Sequence, residues 1–196
     1  MNHMNYQYQL TDQELITEFM NGDPQAIGTL LMRYKDRIFT SIYLFLKDRQ
    51  HAEDMFQEVF IKVTDGLKKG QYADSGKFFP WVMRIAHNKC LDYARKIKRR
   101  PATKITDNVH YFESSQYSEA PYENAVINRE NMQMVNNMLN HLPEEQREVI
   151  ILRHYANLSF KEIASMTNTN INTALGRMRY GLLSLRKMAY DKKIAV

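Results

Sequence analysis

Residues 159–187 read SFKEIASMTNTNINTALGRMRYGLLSLRK, and this stretch decides the fold of the C-terminal part of the chain. Ser159 followed three residues later by Glu162 is a capping box, so a short helix is predicted to begin there. The run of short polar side chains at 167–170 favours a turn, because such side chains compete for backbone groups. Asn170 is predicted to cap a second, longer helix.

The second predicted helix has two different faces. At about 100° per residue, one narrow packing stripe is formed by Ala174, Met178, Gly181 and Leu185, with Leu182 beside it. The opposite side has no carboxylate and carries Asn172, Thr173, Gly176, Arg179, Tyr180 and Lys187, with Arg177 on its flank. A short helix, a tight turn and a longer basic helix are typical of a helix-turn-helix unit, whose second helix lies in the DNA major groove. An ordinary helical hairpin with a solvated basic face has the same pattern.

The composition of the 196-residue chain is moderately basic, with 27 Lys and Arg against 22 Asp and Glu, a net charge of +5 and a pI near 9.2. This balance favours a polyanionic partner. The charges are unevenly distributed: residues 105–128 contain no Lys or Arg and four carboxylates, whereas residues 95–100 contain five cations.

Cys90 is the only cysteine, which excludes an internal disulfide and fits a reducing compartment. His87 and Cys90 form a lone H-x-x-C pair, better explained by a packed thiol beside an exposed imidazole than by a metal site. We expect neither a metal nor a cofactor. The sequence lacks an apolar run long enough to cross a membrane and a signal-peptide core at its N-terminus, so we expect a cytoplasmic protein without membrane insertion.

The N-terminal part predicts three amphipathic helices. The first begins with a capping box, Thr11 to Glu14, and the second with Asp23 as cap and Pro24 as its first residue. The second helix keeps an apolar spacing of three or four residues from 26 to 46, and the third does so over about 52–67. The third helix exposes an acidic ridge that includes Asp54, Gln57 and Glu58. Such a ridge is either a solvated face or a docking surface for a basic protein partner.

Residues 68–77 contain two glycines and predict a loop, which a fourth helix follows from Phe78 to about Arg100. Trp81, Ile85 and Leu91 are expected to pack inward. The polar and largely basic surface is predicted to comprise Arg84, His87, Asn88, Lys89, Arg95, Lys96 and Lys98. Aromatics interleaved with cations beside a glycine-containing loop are typical of surfaces that stack bases and follow a phosphate backbone, although a core tryptophan with a solvated basic end gives the same pattern.

Pro101 ends this helix, and a polar, acidic segment follows. A further helix over about 123–141 is expected to turn six apolar side chains toward a core, Val126, Met134, Val135, Met138, Leu139 and Leu142. Another helix is predicted to have Pro143 as its first residue. The predicted fold is therefore all-α, with two small helical domains, 1–101 and 123–196, joined by a flexible acidic linker at 102–122. The C-terminal domain is the helix-turn-helix.

Four stretches of the chain, taken in order and spacing, resemble the extracytoplasmic-function (ECF) sigma factors, the compact two-domain class of bacterial RNA polymerase specificity subunits. They are GDPQAIGTLLMRYKDRIF at 22–39, HAEDMFQEVFIKV at 51–63, FFPWVMRIAHNKCLDYARK at 78–96, and LNHLPEEQREVIILRHYANLSFKEIA at 139–164 with the helix that follows it. The resemblance covers about Thr11 to Lys187. It implies a promoter-specificity factor with no catalytic step of its own.

The resemblance also implies site residues for two partners. Asp54, Gln57 and Glu58 match the motif that docks on bacterial core RNA polymerase. Asn88 matches the position that holds a base flipped from the minus-10 promoter element, and the loop from Tyr72 to Phe78 matches the rest of that pocket. The implied minus-10 contacts are Tyr72, Ser75, Lys77, Phe78, Trp81, Arg84, His87 and Asn88, with Arg95, Lys96, Arg99 and Arg100 on nearby phosphates. The implied minus-35 contacts are Ser159, Asn172, Thr173, Leu175, Gly176, Arg177, Arg179 and Tyr180.

Three positions of the second domain depart from the family pattern. Leu175 stands where relatives commonly have Lys or Arg, Gly176 where they have Ser, and Tyr180 where they often have Arg. These changes keep the scaffold and leave the base preference open. The resemblance further implies an anti-sigma factor as a partner. Two other readings of the sequence are a dimeric helix-turn-helix regulator that acts without polymerase and a helical protein-interaction module. An enzyme is not expected, because the sequence lacks a nucleophile–base pair, a phosphate-binding glycine loop and a metal cluster.

Overall fold

The computed structural model describes residues 10–73, 76–99 and 134–191, and the regular elements in these ranges are all helices, which confirms the all-α prediction. The chain divides into two compact units, Met1–Asp107 and Asn108–Val196. The predicted linker at 102–122 lies outside the described residues, as do Ser75, Arg100 and Val126. Among the described residues, none of the helices combines the length and apolar character that a bilayer crossing requires.

The described part of the first unit contains α1 (Asp12–Met20), α2 (Pro24–Leu46), α3 (Arg49–Lys68) and α4 (Phe78–Lys98). The predicted caps of the first two are confirmed, since the amide of Glu14 donates to the Thr11 hydroxyl at 3.3 Å and the amide of Gln25 donates to the Asp23 carboxylate at 2.8 Å. α3 begins at Arg49, three residues before the predicted start at 52, because the Asp48 carboxylate accepts the His51 amide at 2.8 Å and caps the helix there.

α2 is the central helix of the first unit and packs against α1, α3 and α4. Its link to α1 is polar as well as apolar. The Asp12 carboxylate accepts hydrogen bonds from the Arg33 guanidinium and the Tyr34 hydroxyl, each at 2.5 Å. Burial, together with this carboxylate, raises the pKa of Tyr34 to about 12. The first unit is thus a compact bundle that presents α3 and α4 side by side.

The buried face of α4 differs from the predicted one. The side chains that face the core are Phe78, Phe79, Val82, Met83, Ala86, His87 and Cys90, whereas Trp81, Ile85 and Leu91 are partly exposed. Successive residues of a helix are about 100° apart around its axis. The observed buried stripe is displaced from the predicted stripe by about one residue. The observed stripe includes the smaller residues Ala86 and Cys90 and places the large Trp81 ring at the rim of the bundle, against Gly66 of α3.

The described part of the second unit begins with a helix over 134–140, here α5, followed by α6 (Glu144–Ile150), α7 (Phe160–Met166) and α8 (Ile171–Asp191). α6 runs on into a π-helical turn at Ile151–Tyr155. Pro143 is the N-cap of α6, with an extended backbone, and not its first helical residue as predicted. Met134 and Val135 are exposed and not buried as expected, so the described core of this unit begins one turn later, at Met138 and Leu139.

α8 packs against both α6 and α7. Its predicted stripe is largely correct, because Ala174 and Gly181 are buried and Met178 and Leu185 are half-buried. Gly181 marks the closest approach, since a Cβ there would lie only 2.7 Å from Cδ1 of Ile150. Leu182, expected beside the stripe, is exposed. The helix therefore buries one narrow side and leaves the rest open.

Candidate functional site

The helix-turn-helix forms as the sequence predicts. The Ser159 amide donates to the Glu162 carboxylate at 2.7 Å, and the Ser159 hydroxyl donates to the same carboxylate at 2.6 Å. Asn168 adopts a left-handed conformation in the turn, which asparagine tolerates better than most residues. The Asn170 side chain then accepts the Thr173 amide at 2.7 Å and caps α8. Because the Ser159 hydroxyl already donates to Glu162 within this capping box, the main role of Ser159 is to cap the N-terminus of α7.

The outer face of α8 presents four of the predicted minus-35 residues to solvent, Asn172, Leu175, Arg179 and Tyr180. The predicted Thr173, Gly176 and Arg177 are partly buried. Arg177 also pairs with Glu145 of α6, with 3.4 Å between Nη2 and Oε1, so its guanidinium is oriented by the protein. The face available to a ligand thus combines an amide, a guanidinium, a phenol and an aliphatic side chain.

A cluster of three aromatic rings joins α4 to the loop that precedes it. The Tyr72 ring centroid lies 5.2 Å from that of Trp81 and 5.9 Å from that of Phe78, and the Phe78 and Trp81 centroids are 6.0 Å apart. The Tyr72 hydroxyl accepts a hydrogen bond from the Lys77 backbone amide at 3.1 Å. Gly70 and Gly76, in the segment predicted to be a loop, both have a positive φ, which glycine adopts without a steric cost.

Gly66 supports this cluster, and sequence reasoning missed it. A Cβ at this buried position of α3 would lie 2.9 Å from Cζ2 and 3.0 Å from Cη2 of Trp81, so the indole packs directly on the helix backbone. A glycine inside an otherwise strong helical pattern costs about 1 kcal/mol relative to alanine and commonly has a packing reason. An unfavourable glycine inside the α3 pattern was therefore the sequence signal for a close packing contact, although it does not identify Trp81 as the contacting residue.

The exposed side of α4 carries the predicted cations and the predicted amide. Arg84 and Asn88 lie one turn apart, and the basic C-terminal end of the helix exposes Arg95, Lys96 and Arg99. Arg95 also pairs with Asp92 at 3.1 Å, an exposed ion pair that adds little to stability. The helix thus displays one polar row that runs from the aromatic cluster to a basic end.

Two residues of the predicted minus-10 set, Phe78 and His87, are buried, and each is only 1% exposed. Both lie on the stripe of α4 that faces the core. The His87 ring packs edge-on to Phe45 of α2 with 5.6 Å between centroids, so the expected exposed imidazole is wrong. The expected packed thiol is confirmed, since Cys90 is buried and burial raises its pKa to about 12. Phe78 and His87 can shape the surface and do not reach a ligand from these positions.

The acidic ridge on α3 is exposed as predicted at Asp54, Gln57 and Glu58. These residues lie opposite the buried Met55 and Val59 of the same helix. The Glu58 carboxylate pairs with Lys89 of α4 at 2.5 Å, a partner that the sequence did not indicate. The ridge therefore lies next to the polar row of α4 within the same unit.

Comparison with known proteins gives one consistent result. The Sigma-70 region 2 family model matches residues 30–100, and the Sigma-70, region 4 model matches residues 132–177. The RNA polymerase sigma-H factor of Pseudomonas aeruginosa is 30% identical over 172 residues, which cover 85% of this chain and 88% of the relative. The ECF RNA polymerase sigma-E factor of Escherichia coli K12 is 30% identical over 174 residues, which cover 87% of this chain and 90% of the relative.

Two solved structures share the fold. The structure of CnrH in complex with the cytosolic domain of CnrY matches with a TM-score of 0.65 at 20% identity, covering 92% of this chain and 97% of that one. The sigma factor RpoE from Bartonella quintana, in complex with the anti-sigma factor NepR, matches with a TM-score of 0.61 at 21% identity, covering 82% and 94%. The two region models match in the family's order, and the sequence relatives are matched over almost their whole length. The chain belongs to the ECF family of RNA polymerase sigma factors.

Proposed function

We propose that this sigma factor uses three surfaces to direct core RNA polymerase to promoters. The ridge Asp54, Gln57 and Glu58 binds the polymerase, the polar row of α4 with its preceding loop holds the melted minus-10 element, and the outer face of α8 reads the minus-35 duplex. The observation that supports this most directly is the exposure of these three sets on separate helices, each opposite a buried apolar face. The protein contributes binding energy and no catalytic step.

At the minus-10 element, Asn88 supplies hydrogen bonds to a base that has left the stack. Extruding a base costs a few kcal/mol, which contacts in the pocket must offset. Tyr72 and Trp81 offer partly exposed aromatic surface. Positive charge is offered by Arg84, which lies one turn before Asn88 on α4, and by Lys77 in the preceding loop. Phosphates are held by Arg95, Lys96 and Arg99, and we assign Ser75 and Arg100, outside the described residues, to the same strand. We withdraw Phe78 and His87 as direct contacts because they are buried.

At the minus-35 element, Asn172, Leu175, Arg179 and Tyr180 are the residues we assign to the major groove. Arginine pairs well with guanine, asparagine with adenine, and an aliphatic side chain can contact the thymine methyl group. Gly176 allows the helix backbone to approach the DNA closely, because no side chain separates the two. Ser159, Thr173 and Arg177 are assigned to the edge of this interface.

We also propose that the protein acts in the cytoplasm, where the polymerase works, and that an anti-sigma factor regulates it. Of the two solved structures reported above, one holds the sigma factor RpoE with the anti-sigma factor NepR, and the other holds CnrH with the cytosolic domain of CnrY. For the present chain, regulation of this kind means that a partner protein covers one of the three surfaces.

The docking assignment can be tested by charge reversal. We expect the double variant Asp54→Lys/Glu58→Lys to bind purified core polymerase at least about tenfold more weakly, since truncating close charged pairs in an interface typically costs 2 kcal/mol or more. Stability should change little, because the Glu58–Lys89 pair is exposed. Asp65→Lys reverses a charge on another exposed turn of α3 and should bind normally. Unchanged affinity of the double variant would remove the assignment.

A further inference from the structure

Lys89 lies among the residues assigned to the melted minus-10 strand, although it belongs to none of the three proposed surfaces. It directly follows Asn88 on α4, and it lies seven residues, or two helical turns, before Lys96. Residues at that spacing share one side of a helix. Lys89 is therefore on the same side of α4 as a cation assigned to phosphate, next to the amide assigned to the flipped base.

The docking ridge neutralises the charge of Lys89 in the isolated chain. Nζ of Lys89 lies 2.5 Å from Oε2 of Glu58 on α3. The Lys89 side chain is 32% exposed and the Glu58 side chain 57% exposed, so solvent reaches both groups. An ion pair of this kind contributes little to stability and is screened by salt. Either residue can therefore exchange the other for a new partner at low cost.

Docking of polymerase on Glu58 changes the charge that Lys89 presents. An exposed ion pair favours its closed form by less than about fivefold, whereas a close charged pair in a protein interface is typically worth about tenfold or more. A polymerase cation on Glu58 therefore competes successfully with Lys89. Because one carboxylate neutralises one cation, Lys89 regains its positive charge when polymerase is bound.

We propose that Lys89 is a further phosphate contact of the melted minus-10 strand and that Glu58 withholds it until core polymerase docks. Polymerase and melted DNA then bind cooperatively, because docking on Glu58 frees a cation for the strand. The inference rests on the proposed function, which assigns Glu58 to polymerase and the exposed side of α4 to the strand.

The probe is a fluorescein-labelled single-stranded deoxyoligonucleotide of mixed sequence and about 12 nucleotides. It is titrated with the full chain at about 50 to 200 mM salt, and binding is followed by fluorescence anisotropy. The logarithm of the binding constant falls linearly with the logarithm of the salt concentration, by about 0.7 for each phosphate contact on a single strand. Glu58→Gln removes the charge that holds Lys89, so we expect it to steepen this slope by about 0.7.

Two variants separate this effect from a general loss of negative charge. Asp65→Asn removes the same charge from α3, next to Gly66 and the Trp81 ring, and Asp65 has no ion pair among the described residues. This variant should keep the wild-type slope. The double variant Glu58→Gln/Lys89→Gln should return the slope to the wild-type value. Equal steepening by Asp65→Asn, or a steep slope in the double variant, would overturn the proposal.

The role of Lys89 should become visible once polymerase is bound. We expect Lys89→Gln to decrease open-complex formation by the holoenzyme about tenfold, as measured by permanganate reactivity on a promoter that the factor transcribes, because a hydrogen bond to a charged group is lost. Binding of the free variant to the oligonucleotide should change little, since Glu58 already holds the lysine in the free protein. Equal losses in both assays, or a loss in neither, would contradict the withholding of Lys89.

Failure of this inference and failure of the proposed function give different results. Lys96→Gln/Arg99→Gln removes two assigned phosphate contacts and should flatten the slope by about 1.4. If it does, an unchanged slope in Glu58→Gln overturns only the role of Lys89. If it does not, the minus-10 assignment fails, and the inference fails with it. Lower thermal stability of Glu58→Gln with a wild-type slope would show that the ion pair only joins α3 to α4.

Discussion

Replacement of Asn88 by alanine separates promoter melting from folding. The Asn88 side chain is exposed on α4 and makes no hydrogen bond among the described residues, so its removal leaves no buried group without a partner. Alanine also has the higher helix propensity, by less than about 0.7 kcal/mol. The free energy of unfolding should therefore stay unchanged or rise slightly.

The functional cost of Asn88→Ala follows from the hydrogen bonds that the amide would give to a flipped base. Losing one or two such bonds costs about 1–3 kcal/mol, which corresponds to about a five- to 150-fold decrease in the equilibrium constant for open-complex formation. Polymerase affinity should not change, because the assigned docking ridge lies on α3. The expected result is a defect confined to melting.

Permanganate reactivity of thymines in the minus-10 element measures the open complex, and anisotropy with core polymerase measures docking. Asn140→Ala is the matched control, since Asn140 is an exposed helical residue of the second unit, outside the assigned surfaces. Normal melting by Asn88→Ala would remove Asn88 from the pocket. Equal losses of melting, docking and thermal stability would show instead that Asn88 supports the fold.

Substitutions at two residues and one labelling reaction test the packing and capping contacts described above. Gly66→Ala should displace the ring of Trp81, the only tryptophan, and so weaken minus-10 melting. The free energy of unfolding should decrease little, because a gain of about 1 kcal/mol in helix propensity offsets part of an overpacking cost of about 1–3 kcal/mol. Unchanged tryptophan emission would contradict this. Ser159→Ala should lower the free energy of unfolding by about 1 kcal/mol in urea titrations through loss of the capping box with Glu162, whereas Ser159→Thr should retain it. Cys90, with a pKa near 12, should resist iodoacetamide at pH 8 until the protein unfolds, and rapid labelling of the folded protein would refute its burial.

The elements fixed by local chemistry are those that the sequence predicts best. Thr11, Asp23, Ser159 and Asn170 each cap a helix as expected, because the capping residue and the amide it satisfies lie within three positions of each other. The exposed ridge and the outer face of α8 follow in the same way, since helical spacing separates polar from apolar residues within one element. These local rules were enough to predict which sides of α3 and α8 are exposed, whereas the assignment of these surfaces to polymerase and DNA came from the family resemblance.

The errors occur where packing between helices decides. The stripe of α4 that faces α2 contains His87, a residue type usually placed on the surface, whose buried ring packs edge-on to the half-buried Phe45. Gly66 matters through a ring fifteen positions away in the sequence, which no helical pattern reveals. Leu182 was expected beside the packing stripe of α8, yet this helix has only one narrow buried side and leaves Leu182 exposed.

Run-off transcription with purified core RNA polymerase on a genomic promoter library tests the central claim most directly. We expect transcripts that depend on the added protein and whose promoters share two sequence elements at minus-35 and minus-10. A folded sample that neither binds core polymerase nor yields new transcripts, while it still binds duplex DNA, would contradict the account.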